Sequence, residues 1–416
     1  MMAATMPTRT THPPWGRGGL VLLAVALGAA TLLWALRPLP GGRGYNLAVE
    51  TCAVLLVVWA AWAARPALLR RPAALVGVAA AGVAGGALRG IGLDPHAEVV
   101  RTYGSLFTAI ADGRNPYTCD CIVHLTPAGP RLGDFNYPPA EIWPYQAAHD
   151  LLGGWGPGVL AATVVALNLA AAGVLLLAMP RAWRVRALAF LPLLVAWELG
   201  TTIGMTMLVT AGVVALVLDG MRRERPLHRP VLWALFGVGL LTKFAALPLF
   251  AAWWVSTAAR GGRTPGRRLR TAADLLVPAA VALALCLPFG PASVVRSTVL
   301  FNADLGDRAA LTTFYPNVLS GLATWAGAER LYPVVATVAL IGAIAASRRL
   351  RPIAAMLLAT TAFLLVAPTP EPQYVPMVVL LLLGALVERE RATRPAGGTG
   401  TRTAAAGGAE PTPVAA

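Results

Sequence analysis

The sequence predicts an all-α polytopic membrane protein with about 10–12 transmembrane helices and one large outer loop early in the membrane domain. Three observations predict it. First, 57% of the 416 residues are hydrophobic, only 13% are charged and the mean hydropathy is +0.64, whereas soluble domains carry about 25% charged residues. Second, Ala/Leu/Val runs long enough to cross a bilayer, about 20 residues, recur from end to end. Third, the net charge of +15 is concentrated in short arginine-rich connectors. That is the positive-inside pattern, and it argues against a nucleic-acid surface.

In chain order, residues 1–17 are polar, basic and proline-containing, and read as a disordered cytoplasmic arm. The first apolar run, about 18–37, follows Arg9 and Arg17 without a clear small-residue cleavage site, so it is expected to be a span rather than a signal peptide. Spans are expected next at about 46–64 and 73–92, joined by the connector holding Arg65, Arg70 and Arg71. A polar insert, Asp94–Asp150, then fills the loop 93–154. Its seven acids (Asp94, Glu98, Asp112, Asp120, Asp134, Glu141, Asp150) outnumber its three arginines (Arg101, Arg114, Arg131), which places it on the outer face.

Further spans are expected at about 155–179, 185–199 and 203–220. Residues 231–259 lie between basic clusters and fit either one tilted span or a hairpin of two short helices. Charge favours the hairpin, with Lys243 and Pro248 near its outer bend; half-length helices are tolerated at membrane depth when they line a polar cavity. A span at about 271–289 leads to a second outer segment, 290–330, and spans at about 331–347, 352–368 and 374–387 close a domain running from 18 to 390. Residues 391–416 read as a disordered cytoplasmic tail, so both termini are expected in the cytoplasm.

Asp94 stands where a span emerges, before the helix-ending Pro95, and a carboxylate there is suited to accept a proton from an alcohol. Glu98 lies four residues on, so a helical segment would put both acids on one face. The plainer reading makes both solvated interfacial acids. Gly113-Arg114-Asn115-Pro116-Tyr117 and Tyr137-Pro138-Pro139-Ala140-Glu141 read as turns, the second leading an outer-surface helix back to the membrane with Tyr137, Trp143 and Tyr145 at headgroup level.

Lys243 is the single lysine of the chain. A cation at the membrane boundary is usually paired or functional, and phosphate is its natural partner; the alternative is a lysine snorkelling from a helix end. Arg296 and Arg308, in the second outer segment, are further phosphate-binding candidates. Glu198, beside Trp197, is either a helix-end acid or a site residue. Cys119 and Cys121 are expected not to bridge each other, because a ring closed over one residue is strained. With His124 they offer three zinc ligands but no fourth, and no metal or cofactor is expected. No phosphate-cradling glycine loop or metalloprotease motif is found.

The order of these motifs resembles the polyprenol-phosphate-mannose-dependent mannosyltransferases of the GT-C class, common in actinobacteria. The resemblance covers roughly 73–390 and is carried by an outer acid after a span, Tyr103, Gly113-x-Asn115-Pro116-Tyr117, Tyr137-Pro138-Pro139, Lys243 with Pro248, and Asn317-x-x-Ser320-Gly321-Leu322. It implies metal-independent, inverting sugar transfer from a polyprenyl-phosphate donor to a lipid or glycan acceptor on the extracytoplasmic side, with a first-loop Asp as base. Asp94 takes that role by residue type, and Glu98 rivals it by its spacing of 18 residues to Pro116. Lys243, Arg296 and Arg308 would hold the donor phosphate, and His96, Tyr103, Asn115, Tyr117, Tyr137, Asn317, Glu371 and Gln373 would line the substrate pocket.

The sequence departs from the family pattern at Gly204-Met205-Thr206-Met207, which stands where a Gly-Gln-x-Asn feature is usual, and at Glu371, Gln373 and Tyr374, which replace a Trp and paired His. Two readings stay beside the transferase: a polytopic transporter or flippase, which would place charges mid-membrane within broken helices, and a ligase or polymerase of lipid-linked glycans.

Overall fold

The computed structural model describes residues 98–126, 129–188, 204–223, 229–243, 246–260, 275–300, 326–327, 329–366 and 375–393, with positions 76 and 79. The expected spans at 18–37, 46–64, 73–92 and 185–199 lie wholly or mostly outside these residues. So do Asp94, His96, Glu198, Arg308, Asn317, Glu371 and Gln373.

The described chain is mostly helical, as expected. Two of its helices are long and apolar enough to cross a membrane: α3 (Pro157–Ala178), and α4 (Gly204–Arg223) over residues 204–221. A third candidate span is bent by 100° between Leu276–Phe289 and Pro291–Thr298. In it, α7 (Leu276–Cys286) runs into a 3-10 turn, and Gly290, at φ +78°, breaks the path before α8 (Pro291–Val295) and a π-helical turn at Arg296–Leu300.

The ambiguous 231–259 stretch is a hairpin. Helices α5 (Arg229–Leu240) and α6 (Ala246–Arg260) hold 12 and 15 residues, about 18 and 22 Å at 1.5 Å per residue, so each is shorter than the ~30 Å hydrocarbon core. They run antiparallel: Trp233 meets Trp253 and Phe236 meets Phe250, each pair with ring centroids 4.9 Å apart. Helices α9 (Tyr332–Ala346), α10 (Pro352–Val366) and α11 (Val375–Thr393) complete the bundle. Helix α4 packs between α3, α5 and α11, while α6 packs on α10 and α7 on α5.

Among the described residues, the basic positions flanking the helices gather at one pole of this bundle. There Arg391 donates to the Leu218 and Ala178 carbonyls, Trp183 donates to the Glu390 carboxylate, and Arg260 donates to the Leu350 carbonyl. Glu388 accepts from the Ile353 and Ala354 amides at the start of α10, satisfying N–H groups that have no partner inside their helix.

The insert sits at the opposite pole as a small folded unit whose core is completed by Leu160 and Val164 of α3 and by Cys286 and Val294. Helix α1 (Glu98–Ala111) turns Val100, Tyr103, Leu106, Phe107 and Ile110 inward at helical spacing and leaves Thr108 and Ala111 exposed. An all-α reading needs one correction. Strands β1 (Ile122–Thr126) and β2 (Gly129–Gly133) pair antiparallel, Ile122 opposite Gly133 and His124 opposite Arg131. The β-branched Ile122 and Val123 suit a strand, and the ladder is fastened to α1: Thr102 Oγ1 donates to the Val123 carbonyl at 2.8 Å, and the Val123 amide donates to Ser105 Oγ at 3.0 Å.

A second correction concerns the cysteines. Cys119 and Cys121 are joined in a disulfide with their Cα atoms 5.1 Å apart, an ordinary bridge separation. Asp120 between them adopts φ +46°, a left-handed conformation that Asp tolerates, and its amide donates to Asp134 Oδ1 at 3.0 Å. That kink brings the neighbouring side chains together, which an extended chain would not. With both sulfurs bonded and His124 Nε2 2.9 Å from the Asp134 carbonyl, the zinc arrangement is closed off; no metal-binding group occurs among the described residues.

Candidate functional site

Pro138 and Pro139 start a 3-10 turn, Pro139–Glu141, that runs directly into α2 (Ile142–Leu152). The fixed φ of proline suits the first position of such a turn, where no amide donor is needed. The turn docks on the bend of the α5–α6 hairpin. The Ala140 amide donates to the Leu241 carbonyl at 2.9 Å, so two segments about a hundred residues apart share a backbone hydrogen bond.

This docking buries a polar cluster. Glu141 is fully buried, as are Thr206 in the first turn of α4 and Thr242 in the hairpin bend, and Lys243 is 6% exposed. Thr206 Oγ1 lies 3.2 Å from Glu141 Oε1 and 3.1 Å from Thr242 Oγ1; Thr242 Oγ1 in turn donates to the Gly239 carbonyl at 2.8 Å. Lys243 Nζ sits 3.7 Å from the centroid of the Tyr137 ring, within cation–π range. Glu141 Oε2 is buried with no hydrogen-bond partner among the described residues. Burial pushes the Glu141 carboxyl up to about 8, and the positive charge of Lys243 and the Thr206 hydroxyl only partly oppose this.

Around the cluster the insert presents aromatic walls. Tyr103, fully buried, packs against Phe107, Phe135, Tyr145 and Trp155, with the Tyr137 ring 6.3 Å away. Tyr117 is buried, its phenol pushed well above its ordinary value by loss of water, and its hydroxyl donates to the Tyr137 carbonyl at 2.9 Å. Asn115 ties the insert to the end of α7: its Nδ2 donates to the Phe289 carbonyl at 2.7 Å and its Oδ1 accepts the Tyr117 amide at 3.0 Å.

The structure therefore brings Lys243 and Tyr137 into contact and joins Asn115 to Tyr117. Arg296 is exposed on the π-helical turn. Glu98 begins α1. Of the three rings expected at headgroup level, Trp143 is exposed, Tyr137 is half-buried and Tyr145 is in the core. Glu141, counted by composition among the surface acids, is instead fully enclosed, the most buried of the insert's carboxylates among the described residues, and Thr206 is its hydrogen-bond partner. The one local hint was an acid between a proline pair and the apolar Ile142-Trp143. Thr206 stands at the unrestricted position of the Gly204-Met205-Thr206-Met207 stretch, so the sequence carried no signal for it.

Compared with known proteins, the chain matches no family model, and no curated protein or solved structure is significantly similar to it.

Proposed function

We propose that the chain is an integral-membrane glycosyltransferase that moves a sugar, mannose or another hexose or pentose, from a polyprenyl-phosphate donor to an acceptor hydroxyl on the extracytoplasmic side. The observation that carries this reading is the placement of Lys243. The single lysine of the chain is held at the bend of two half-length helices, against Tyr137 of the polar insert. A fixed ammonium at that depth suits a lipid-borne phosphate, whose headgroup lies at the membrane boundary while its chain stays among lipid tails.

The reaction this site would support is a single displacement. The acceptor oxygen attacks the anomeric carbon, the carbon–oxygen bond to phosphate breaks, and the lipid phosphate leaves with the bonding pair. The acceptor proton passes to Asp94, or to Glu98 in its place. Lys243, with Arg296 or Arg308, would stabilise the charge developing on the leaving phosphate, an effect strengthened where water is excluded.

The decisive assay incubates the purified protein with radiolabelled polyprenyl-phosphate sugars and membrane lipids. Label should enter a lipid or glycan acceptor, Asp94→Asn should abolish the transfer, and membrane insertion should be unchanged. No label in any acceptor would refute the reading; full turnover by Asp94→Asn with loss in Glu98→Gln would move the base to Glu98. The buried Glu141 beside a buried lysine also suits a proton-coupled lipid transporter, and that reading predicts movement of unmodified lipid across a vesicle without covalent change.

A further inference from the structure

Glu141, Thr206, Thr242 and the Gly239 carbonyl form a line of three oxygen–oxygen contacts, at 3.2, 3.1 and 2.8 Å. Each contact needs a proton, and the two hydroxyls supply two. If Thr242 donates to Gly239 and Thr206 donates to Thr242, the Glu141–Thr206 contact has no proton unless Glu141 brings it. With an ionised Glu141, Thr206 donates to the carboxylate, and either Thr242 turns to Thr206 and leaves the Gly239 carbonyl with the Thr242 amide alone, at 3.2 Å, or the Thr206–Thr242 contact has no proton. One bond fewer is then made in a fully buried place, where each lost bond is costly.

We propose that Glu141 stands as a neutral carboxylic acid whose proton completes this line, fastening the insert to the hairpin bend and thereby positioning Lys243. Glu141 is a positioning residue. It touches Thr206, Thr206 touches Thr242, and the lysine is the next residue along the same bend. The importance given to Lys243 rests on the transferase reading; the proton on Glu141 does not. A neutral Glu141 also adds no negative charge beside the lysine, so an anionic headgroup meets no competitor from this side.

The surroundings agree. Among the described residues, Lys243 is the charged group that faces Glu141 from the bend. Helix α4 brings Thr206 there and carries its own charged residues, Asp219, Arg222 and Arg223, at the far end; α7, packed on the 3-10 turn, brings Cys286. On the same segment Tyr137 precedes Glu141 and Tyr145 and His149 follow it on α2. The loss of water around the carboxyl outweighs the lysine's charge, which is why the acid keeps its proton to about pH 8.

Two measurements on the full-length protein in lipid nanodiscs test this, and neither uses a sugar donor, so a failed transferase assay and a failure here are separate results. The first is infrared spectroscopy of wild type against Glu141→Gln. In the wild-type-minus-Glu141→Gln difference spectrum a protonated-carboxyl C=O band should be present at pH 7 and lost on raising the pH past about 8. An unprotonated carboxylate at pH 7 overturns the proposal. So does a Glu141→Gln protein that does not fold, because the neutral amide can donate to Thr206 as the acid does.

The second exploits the single lysine. Acylation of Lys243 by an amine reagent, read peptide by peptide, should accelerate in the wild type relative to Glu141→Gln by about fivefold from pH 7 to pH 8, following the ionised fraction of a group that titrates near 8. Equal pH profiles in the two proteins overturn the positioning role. A slower rate in the wild type as Glu141 ionises, the mark of a tightened Glu141–Lys243 pair, overturns it too.

Discussion

Thr206 is the residue on which the buried line turns, since it touches both Glu141 and Thr242. Thr206→Val keeps the volume but removes the hydroxyl, leaving Glu141 Oε1 without its donor or acceptor in a fully enclosed place. It should destabilise the protein by about 1–3 kcal/mol, read as a lower denaturant midpoint at pH 7. Thr210→Val, one turn on and bonded only to the carbonyl of Thr206, is the milder control. Tyr137→Leu removes the ring under Lys243 and should cost about 0.5–2 kcal/mol. Glu141 also sets a pH dependence. The folded protein holds its proton to about 8, whereas the unfolded chain releases it near 4.5, so the folded form binds more protons between those values and loses stability as pH rises through them. The apparent melting temperature of the wild type should fall across that window more steeply than that of Glu141→Gln. Parallel curves would assign the slope to another group.

Helices α5 and α7 cross closely at Gly237. A Cβ added at Gly237 would lie 2.9 Å from the backbone of Pro278 and 2.8 Å from Val281 Cβ, so the glycine is what lets the two helices approach. Neither the proline ring nor the backbone can retreat without shifting a helix. Gly237→Ala should therefore destabilise by about 1–3 kcal/mol, while Gly173→Ala on α3, whose added Cβ meets nothing, should be neutral or slightly stabilising in a thermal-shift comparison. The same crossing helps set the hairpin bend, because Thr242 and Lys243 follow directly on the end of α5. The hairpin was legible in the sequence from charge alone. Basic clusters flank it at both ends, and a chain that begins and ends at one pole must turn back at the other. Which bond the bend makes with the insert was not legible, since it depends on a partner at Ala140.

At the scale of the molecule, the protein has an arginine-rich pole and an acidic, folded pole joined by helices. If the positive-inside pattern sets its orientation, the insert faces outward. With Cys52 and Cys286 replaced and the Cys119–Cys121 disulfide intact, a cysteine at exposed Ala147 should react with a membrane-impermeant maleimide added outside intact cells, and one at exposed Arg348 should not. The reverse pattern would invert the topology and remove the outer site. The expected count of about 10–12 spans meets two or three helices of spanning length among the described residues. Helices α5, α6, α9 and α10, of 12 to 15 residues, are about 18–22 Å long at 1.5 Å per residue and fall short of a ~30 Å crossing by length.

The sequence by itself determined the mostly helical, apolar character of the chain, the polarity of the two poles, the hairpin and the turns at Gly113 and Pro138, because hydropathy, arginine placement and proline geometry are local properties that few contacts can override. Tertiary structure alone decided that Glu141 lies inside rather than on the surface, that Cys119 and Cys121 bridge through the left-handed Asp120, and that Lys243 rests on Tyr137. Each of these depends on a partner held close by the fold. A carboxylate's surroundings, and hence its charge, are fixed by the segments that pack around it: here a bend and a helix start some 65 to 100 residues away.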